Sequence, residues 1–255
     1  MVDDTLTVRS RGVAVAALLA AVVVVLQIGY PVASGESRDR VTVLIVGTFA
    51  AASAVHAVVT RGLRVGGAAI SLAAVGGFAA EVVGVHSGVP FGDYTYGSTL
   101  GPRVLGVPVL IGLAWMMVAW PAALVARRLV TGTAARVVVG AWALASWDLF
   151  LDPQLVAGGG WRWHDPSPHL PGVPDVPLTN YAGWLLVATL LSAGLQRLLR
   201  HDAGGADGVP VALYLWTYVG SIVALAAFLH LAAAAAWGAL GMGVVAVPLV
   251  RSLRR

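Results

Sequence analysis

The sequence contains no cysteine. It also contains no lysine, and all 16 of its basic residues are arginine. The lack of cysteine excludes disulfides, thiolate metal sites and cysteine nucleophiles. The lack of lysine excludes a retinal or pyridoxal Schiff base, since both need a lysine amine. Charge is also scarce, because Asp, Glu, Lys and Arg make up only 11% of the 255 residues. A soluble domain is nearer about one quarter charged, so the composition indicates a membrane protein.

Hydrophobic residues make up 58% of the chain, and the mean hydropathy is +0.84. A helix needs about 20 apolar residues to cross the hydrocarbon of a bilayer. Runs of that length predict an all-α fold, a polytopic membrane bundle of about eight transmembrane helices in one domain over residues 1–255. The predicted spans are 12–32, 41–60, 65–85, 104–126, 133–151, 179–199, 210–229 and 234–250. Seven spans are the alternative, because no clear turn marks the predicted break near His230–Gly238.

The distribution of arginine favours eight spans with the N- and C-termini in the cytoplasm. The inner side then holds 12 arginines: Arg9, Arg11, Arg61, Arg64, Arg127, Arg128, Arg136, Arg197, Arg200, Arg251, Arg254 and Arg255. The outer side holds Arg38, Arg40, Arg103 and Arg162. Seven spans would reduce the bias to 9 against 7. The first run is longer than the usual apolar region of a signal peptide, about 7–15 residues, so we expect a retained helix in the cell membrane.

Two carboxylic acids fall inside predicted spans, Glu81 and Asp148, each near the outer end. An ionisable group at the centre of a span costs at least ~2.5 kcal/mol and usually faces a cavity or a partner. Asp152 follows Asp148 by four residues, so a continuing helix would put both on one face. We expect Pro153 to end that helix. The alternative for Glu81 and Asp148 is a structural hydrogen bond within the bundle.

The two longest loops are predicted to lie at the same outer end, which places any functional site there. The candidate aromatic and polar residues that lie in or beside them are His86, Phe91, Tyr94, Tyr96, Trp147, Trp161, Trp163, Asn180, Tyr181 and Trp184. Tryptophans at this depth are equally typical of an interfacial belt. The sequence has no His pair at i, i+4 spacing and no HExxH motif, so we predict no metal site. The net charge of +4 is spread between apolar runs, which does not indicate nucleic-acid binding.

Two blocks of sequence carry a family resemblance. The pattern ExxGxxxGxPFGxYxYxxxLG runs from Glu81 to Gly101 and is followed by "GVPVLIGLAW". The second block is "DLFLDP", followed by "WRW" and "DVPLTNYAGW". Together they resemble the integral-membrane carotenoid hydratase family, which includes bisanhydrobacterioruberin hydratases and related carotenoid 1′,2′-hydratases. One departure is Asp175, where the family pattern leads us to expect glycine.

The resemblance implies that water is added to the terminal trisubstituted double bond of an acyclic carotenoid, which gives a tertiary alcohol. Such an alkene offers no carbonyl or phosphate, so the enzyme must protonate carbon and tolerate a tertiary cation. We expect Asp148 or Glu81 to donate the proton, and the other carboxylate or Asp152 to orient water. The aromatic residues would stabilise the cation, and Asn180 or Tyr181 would place the water. No cofactor is required.

Other functions remain open at this point. A non-catalytic carotenoid- or isoprenoid-binding membrane protein could use the same aromatic residues. A proton-coupled transporter is a weaker alternative, because the polar motifs cluster in mid-chain without a matching second half. A metal-dependent membrane hydrolase is a further alternative. The expected partners are an acyclic carotenoid drawn from the bilayer and other enzymes of carotenoid biosynthesis, with no nucleic acid.

Overall fold

The structure, a computed structural model, describes residues 2–202 and 204–254, so the predicted inner position of Arg255 lies outside the described residues. The helices are α1 (Val2–Gly29), α2 (Gly35–Gly62), α3 (Ala68–Ser87), α4 (Val109–Leu129), α5 (Thr133–Ala145), α6 (Asp148–Ala157), α7 (Leu178–Leu198), α8 (Gly208–Val223) and α9 (Ala232–Leu253). Short antiparallel pairs of strands occupy the long connections, and no sheet is larger than two strands among the described residues. The pairs are β1 (Tyr94–Tyr96) with β4 (Trp161–Trp163), β2 (Arg103–Val104) with β3 (Val107–Pro108), and β5 (His169–Leu170) with β6 (Val173–Pro177). The prediction of an all-α membrane bundle is confirmed.

Helix α4 forms the centre of the bundle. Every residue from Trp115 to Ala126 is buried, although the helix contains Pro121. Its neighbours include α2, α3, α5, α7 and α8, which surround it. A helix that is apolar on all sides belongs inside a bundle, whereas the outer helices expose apolar faces to lipid. Residues that α4 contributes are therefore held by neighbours on every side.

Seven helical segments among the described residues are long and apolar enough to cross a membrane. One of them, Gly35–Ser87, has 53 residues and would be about 80 Å long if it were straight, far more than a bilayer needs. It is broken at Gly62, whose φ of 76° lies in the left-handed region, and a π-helical turn at Leu63–Gly67 leads into α3. Because α2 and α3 form a hairpin, the seven segments supply eight crossings among the described residues, and the chain is a multi-pass membrane protein.

The fifth crossing consists of two helices. Helix α5 ends at Ala145, a turn at Ser146–Trp147 follows, and α6 begins at Asp148. The expectation that Pro153 ends the helix is wrong, because α6 continues to Ala157 with Pro153 inside it. A proline removes one backbone hydrogen bond, and membrane helices tolerate that loss where neighbours pack closely around it. Asp148 and Asp152 consequently share one helix.

The last two crossings separate at His230. Helix α8 passes into a π-helical segment, Ala224–Phe228, and α9 begins at Ala232. His230 has a φ of 57°, which is unusual for a residue other than glycine. Local backbone geometry, rather than a run of turn-forming residues, makes this break.

At the end of the bundle opposite the strands, Arg61 fixes the connection between α7 and α8. Its side chain is only 2% exposed and donates hydrogen bonds to Asp202 and Asp207. Nearby, Trp120 Nε1 donates to His56 Nδ1, so His56 Nε2 carries the proton donated to Ala206 O at 3.0 Å. His56 therefore has a structural role.

The hairpin of α2 and α3 depends on the absence of a side chain at Gly66. A Cβ there would lie 2.2 Å from the carbonyl oxygen of Ala57, whereas a Cβ at Gly67 would meet only the flexible Leu63 side chain at 3.4 Å. Gly66→Ala should therefore cost at least about 1–3 kcal/mol of folding free energy, and Gly67→Ala should cost little. Thermal unfolding of both variants in detergent checks this, and equal melting temperatures would contradict the close approach.

Candidate functional site

Glu81 is the most heavily hydrogen-bonded acid in the interior. It lies near the end of α3, is 6% exposed and accepts three hydrogen bonds from side chains. Tyr94 and Tyr96 donate their hydroxyls to Oε2 at 2.5 and 2.8 Å. Trp115 of α4 donates its Nε1–H to Oε1 at 3.1 Å. Both carboxyl oxygens are thus satisfied by donors from two other parts of the chain.

The two tyrosines reach Glu81 because strand β1 (Tyr94–Tyr96) pairs with β4 (Trp161–Trp163). In this antiparallel register Tyr94 is opposite Trp163, and Tyr96 is opposite Trp161. The side chains of alternate residues project to the same face of a strand, so both tyrosines point toward Glu81. Each tyrosine ring also contacts the indole opposite it, with ring centroids 5.7 and 5.8 Å apart.

Both hydroxyls stay protonated at ordinary pH. Burial, and then the nearby charge of Glu81, raise the pKa of Tyr94 and of Tyr96 well above the usual value. The tyrosines therefore act as hydrogen-bond donors to the carboxyl group rather than as bases.

Glycines allow the loop to approach α3 and the second loop closely. A Cβ at Gly84 would lie 2.7 Å from the Phe91 ring and 3.1 Å from the Tyr94 hydroxyl oxygen. A Cβ at Gly97 would lie within 2 Å of the carbonyl oxygen of Gly159, which leads into β4. The glycines of the first motif thus leave space for β1 to pack against α3 and to pair with β4.

Asp148 and Asp152 form a second acidic cluster with Asn180. Both aspartates are almost completely buried, and Asn180 Nδ2 donates to Oδ2 of each, to Asp148 at 2.9 Å. Since one nitrogen contacts both carboxyl groups, the two lie side by side. Oδ1 of each aspartate accepts no hydrogen bond from the part of the chain that the structure describes, and no arginine there forms an ion pair with either.

Tryptophan rings lie between the two acidic clusters. Trp184 of α7 stacks on Trp115, with centroids 4.0 Å apart and an angle of 15° between the planes. Trp147, beside Asp148, meets Trp184 edge to face at 6.0 Å. The negative faces of such rings attract cations. The indoles therefore form an aromatic wall next to the Glu81 carboxyl.

This wall borders a cavity of about 450 Å³. Glu81 and four tryptophans (Trp115, Trp147, Trp161 and Trp184) line its buried part, and most of the other lining residues are apolar. Among the described lining residues, Glu81 is the one carboxylic acid. Asp148 and Asp152 do not line the cavity, although Trp147, which precedes them, does.

The structure brings most of the predicted site residues together. Phe91 and Trp163 pack beside Tyr94, and Trp163 Nε1 donates to Phe91 O. Tyr181 follows Asn180, and its buried hydroxyl has no hydrogen-bond partner among the described residues. His86 does not join the cluster, because it is exposed and its Nδ1 contacts the Val82 carbonyl at 2.8 Å.

Sequence reasoning did not select Trp115 as a site residue, although it bonds Glu81 and lines the cavity. Trp115 is the last residue of the stretch "GVPVLIGLAW", which follows the first motif, so its place beside that motif could have identified it. Gln27 and Thr217 were also not selected; both are polar residues in apolar runs, and both line the cavity. No group of three or more His, Asp or Glu side chains within residues 9–202 and 204–254 is arranged to hold a metal ion.

Asn180 is the donor on which the aspartate pair depends. Asn180→Leu would leave two buried carboxyl groups without that donor, and each unsatisfied group costs about 1–3 kcal/mol. We expect a clear loss of thermal stability in detergent. Thr189→Leu is the matched control, because Thr189 lies on the exposed face of α7 and bonds only to Leu185 of its own helix. If Asn180→Leu had the same melting temperature as Thr189→Leu, the role given to Asn180 would be wrong.

Comparisons with known proteins identify a family for the chain. A family model described as "Carotenoid biosynthesis protein" matches residues 40–249. The bisanhydrobacterioruberin hydratase of Haloarcula japonica is 37% identical over 150 residues, which are 53% of this chain and 50% of that protein. The chain thus matches about half the length of this curated relative. No solved structure matches. Since the family match includes most of the chain and both acidic clusters, the chain belongs to the carotenoid biosynthesis protein family.

Proposed function

We propose that this protein is a carotenoid hydratase that adds water to the terminal C-1′,2′ double bond of an acyclic carotenoid, giving a tertiary alcohol. The observation that carries the proposal is the Glu81 carboxyl group in an apolar cavity walled by tryptophans. Family membership and the name of the relative support the same substrate class and reaction. The substrate would come from the bilayer of the cell membrane.

Glu81 is assigned as the proton donor, because an acid must touch the alkene carbon that it protonates. In its neutral form Glu81 transfers a proton to C-2′, and the positive charge forms on C-1′. The resulting carboxylate receives hydrogen bonds from Tyr94, Tyr96 and Trp115. These donors stabilise the negative charge as it develops, so they strengthen the acid in the transition state.

The tertiary cation is stabilised by the indole faces that line the cavity. Trp115 and Trp184 are already stacked, and Trp147 packs against them, so the rings need no rearrangement when the charge forms. Cation–π attraction gives about 2 kcal/mol or more for a desolvated cation.

Water then bonds to C-1′, and its extra proton passes to the Glu81 carboxylate. This step restores the neutral acid and completes the addition of one water with no cofactor. Trp161 lines the cavity, and its buried indole N–H has no hydrogen-bond partner among the described residues. We assign this N–H as the candidate donor to the attacking water. The aspartate pair does not line the cavity, so we assign it an electrostatic contribution without contact with the alkene.

Co-expression in a host that makes acyclic carotenoids tests the reaction. We expect a more polar pigment heavier by one water in chromatography and mass spectrometry. Bound pigment of unchanged mass, with the protein folded in the membrane, would favour the non-catalytic carotenoid-binding function instead.

The same assay separates Glu81 from Asp148 as the proton donor. Glu81→Gln should lower hydration by about 10²-fold or more, the usual contribution of a general acid. Tyr94→Phe and Tyr96→Phe should each cause a smaller loss, and Asp148→Asn should retain more activity than Glu81→Gln. Glu36→Gln is the control, because Glu36 is exposed and pairs only with Arg40. Full activity in Glu81→Gln would remove Glu81 from the acid role.

A further inference from the structure

The cavity that contains Glu81 extends to the lipid-facing surface of the bundle. Its lining includes Ile28 at the end of α1 and Val219, Val223 and Phe228 in or just after α8. Each of these four side chains is at least half exposed. Glu81, Trp115 and Trp184, which line the same cavity, are at most 6% exposed. The cavity therefore runs continuously from the buried acid to an apolar opening between α1 and α8.

The opening lies at the end of the bundle where Glu81 lies. The short helical turn Tyr30–Val32 after α1 contacts Ala224–Phe228 after α8, and Tyr30 lines the cavity. Between these elements the side chains of Gln27 and Trp216 cross the gap, with Trp216 Nε1 donating to Gln27 Oε1 at 2.7 Å. Both residues line the cavity, so this hydrogen bond borders the opening.

Size shows why a carotenoid needs this opening. About 450 Å³ is the space of roughly 15 water molecules, whereas an acyclic carotenoid has several tens of carbon atoms. The cavity can hold the end of such a chain, and the remaining polyene must leave it. The one medium that suits this hydrocarbon is lipid, which the exposed apolar residues of the opening face.

Gly220 controls the width of the opening. It lines the cavity one turn after Trp216, and a Cβ added there would meet only the Trp216 ring, at an ordinary contact distance of 3.6 Å. A larger side chain at this position would fit against the backbone and occupy space in the cavity. The packing of α8 therefore does not require a glycine at position 220, and the absence of a side chain there leaves space in the cavity.

We propose that the cleft between α1 and α8 binds the hydrocarbon tail of the polyene substrate, and that Gly220 sets the width of this tail site. The proposal rests on the proposed function, because the tail is defined by the end group that reaches Glu81. It adds a specificity site made of α1, α8 and the segments that follow them. Helix α1 contributes to it although the family match begins only at residue 40.

Gly220→Phe tests the tail site with two substrates that share the same terminal double bond, an acyclic carotenoid and a short isoprenoid. We expect the ratio of long-chain to short-chain hydration to fall at least tenfold, because the added ring blocks only the tail. Val25→Phe is the control, since Val25 is exposed on α1 and does not line the cavity. Val223→Phe at the rim serves as a second variant if Gly220→Phe does not fold.

Two results would overturn the tail site: an unchanged ratio in Gly220→Phe, or an equal fall in Val25→Phe. A wild-type protein that hydrates neither substrate would instead refute the proposed reaction. In that case the amount of carotenoid that co-purifies with each variant tests the tail site separately. Less bound pigment in Gly220→Phe than in Val25→Phe supports it, and equal amounts contradict it.

Discussion

The hydrogen bonding of Glu81 is the constraint on which the arrangement of the site depends. A carboxyl group in the apolar interior is costly unless its oxygens are satisfied. Here the donors come from β1 and from α4, so the carboxyl group links α3 to both. Satisfying it requires the first loop to fold back over the end of the bundle. Pairing of β1 with β4 then brings the second loop to the same place, together with its tryptophans Trp161 and Trp163.

The two acidic clusters differ in environment although they are made of similar residues. Glu81 accepts three hydrogen bonds and lines the cavity, whereas Asp148 and Asp152 share the donor Asn180 and do not line it. Donors that favour the carboxylate suit the role of proton donor that we propose for Glu81. Two adjacent carboxylates repel each other, so ionising both at once is costly. These differences support separate roles for two clusters that the residue types alone leave equivalent.

Hydropathy was sufficient to predict the helices, because crossing a bilayer imposes a length that the sequence shows directly. The predicted topology was sufficient to place Tyr94 and Tyr96 near Glu81, because it put both long loops at the outer end where Glu81 lies. Contacts between distant segments were not predictable in this way. Trp115 looks like any apolar residue of a buried helix until Glu81 is found beside it. His86 stands in the same motif as Glu81 but faces outward, because α3 continues to Ser87 and turns it away. Pro153 was misread because a local rule about proline takes no account of the packing that holds α6 together.

A hydrocarbon substrate leaves the enzyme few means of recognition. The terminal double bond carries no group that could form a directional hydrogen bond, so its position relative to Glu81 has to be fixed by shape. A tail held away from the reacting carbons can supply binding energy that orients them, which is how remote contacts raise the rate of a chemical step. The tail site between α1 and α8 and the aromatic wall would then act together, since the first fixes the depth of the chain and the second surrounds the carbon that becomes positive. On this view the outer helix α1, which buries few of its residues, also matters to catalysis, because it borders the path along which the end group reaches the acid.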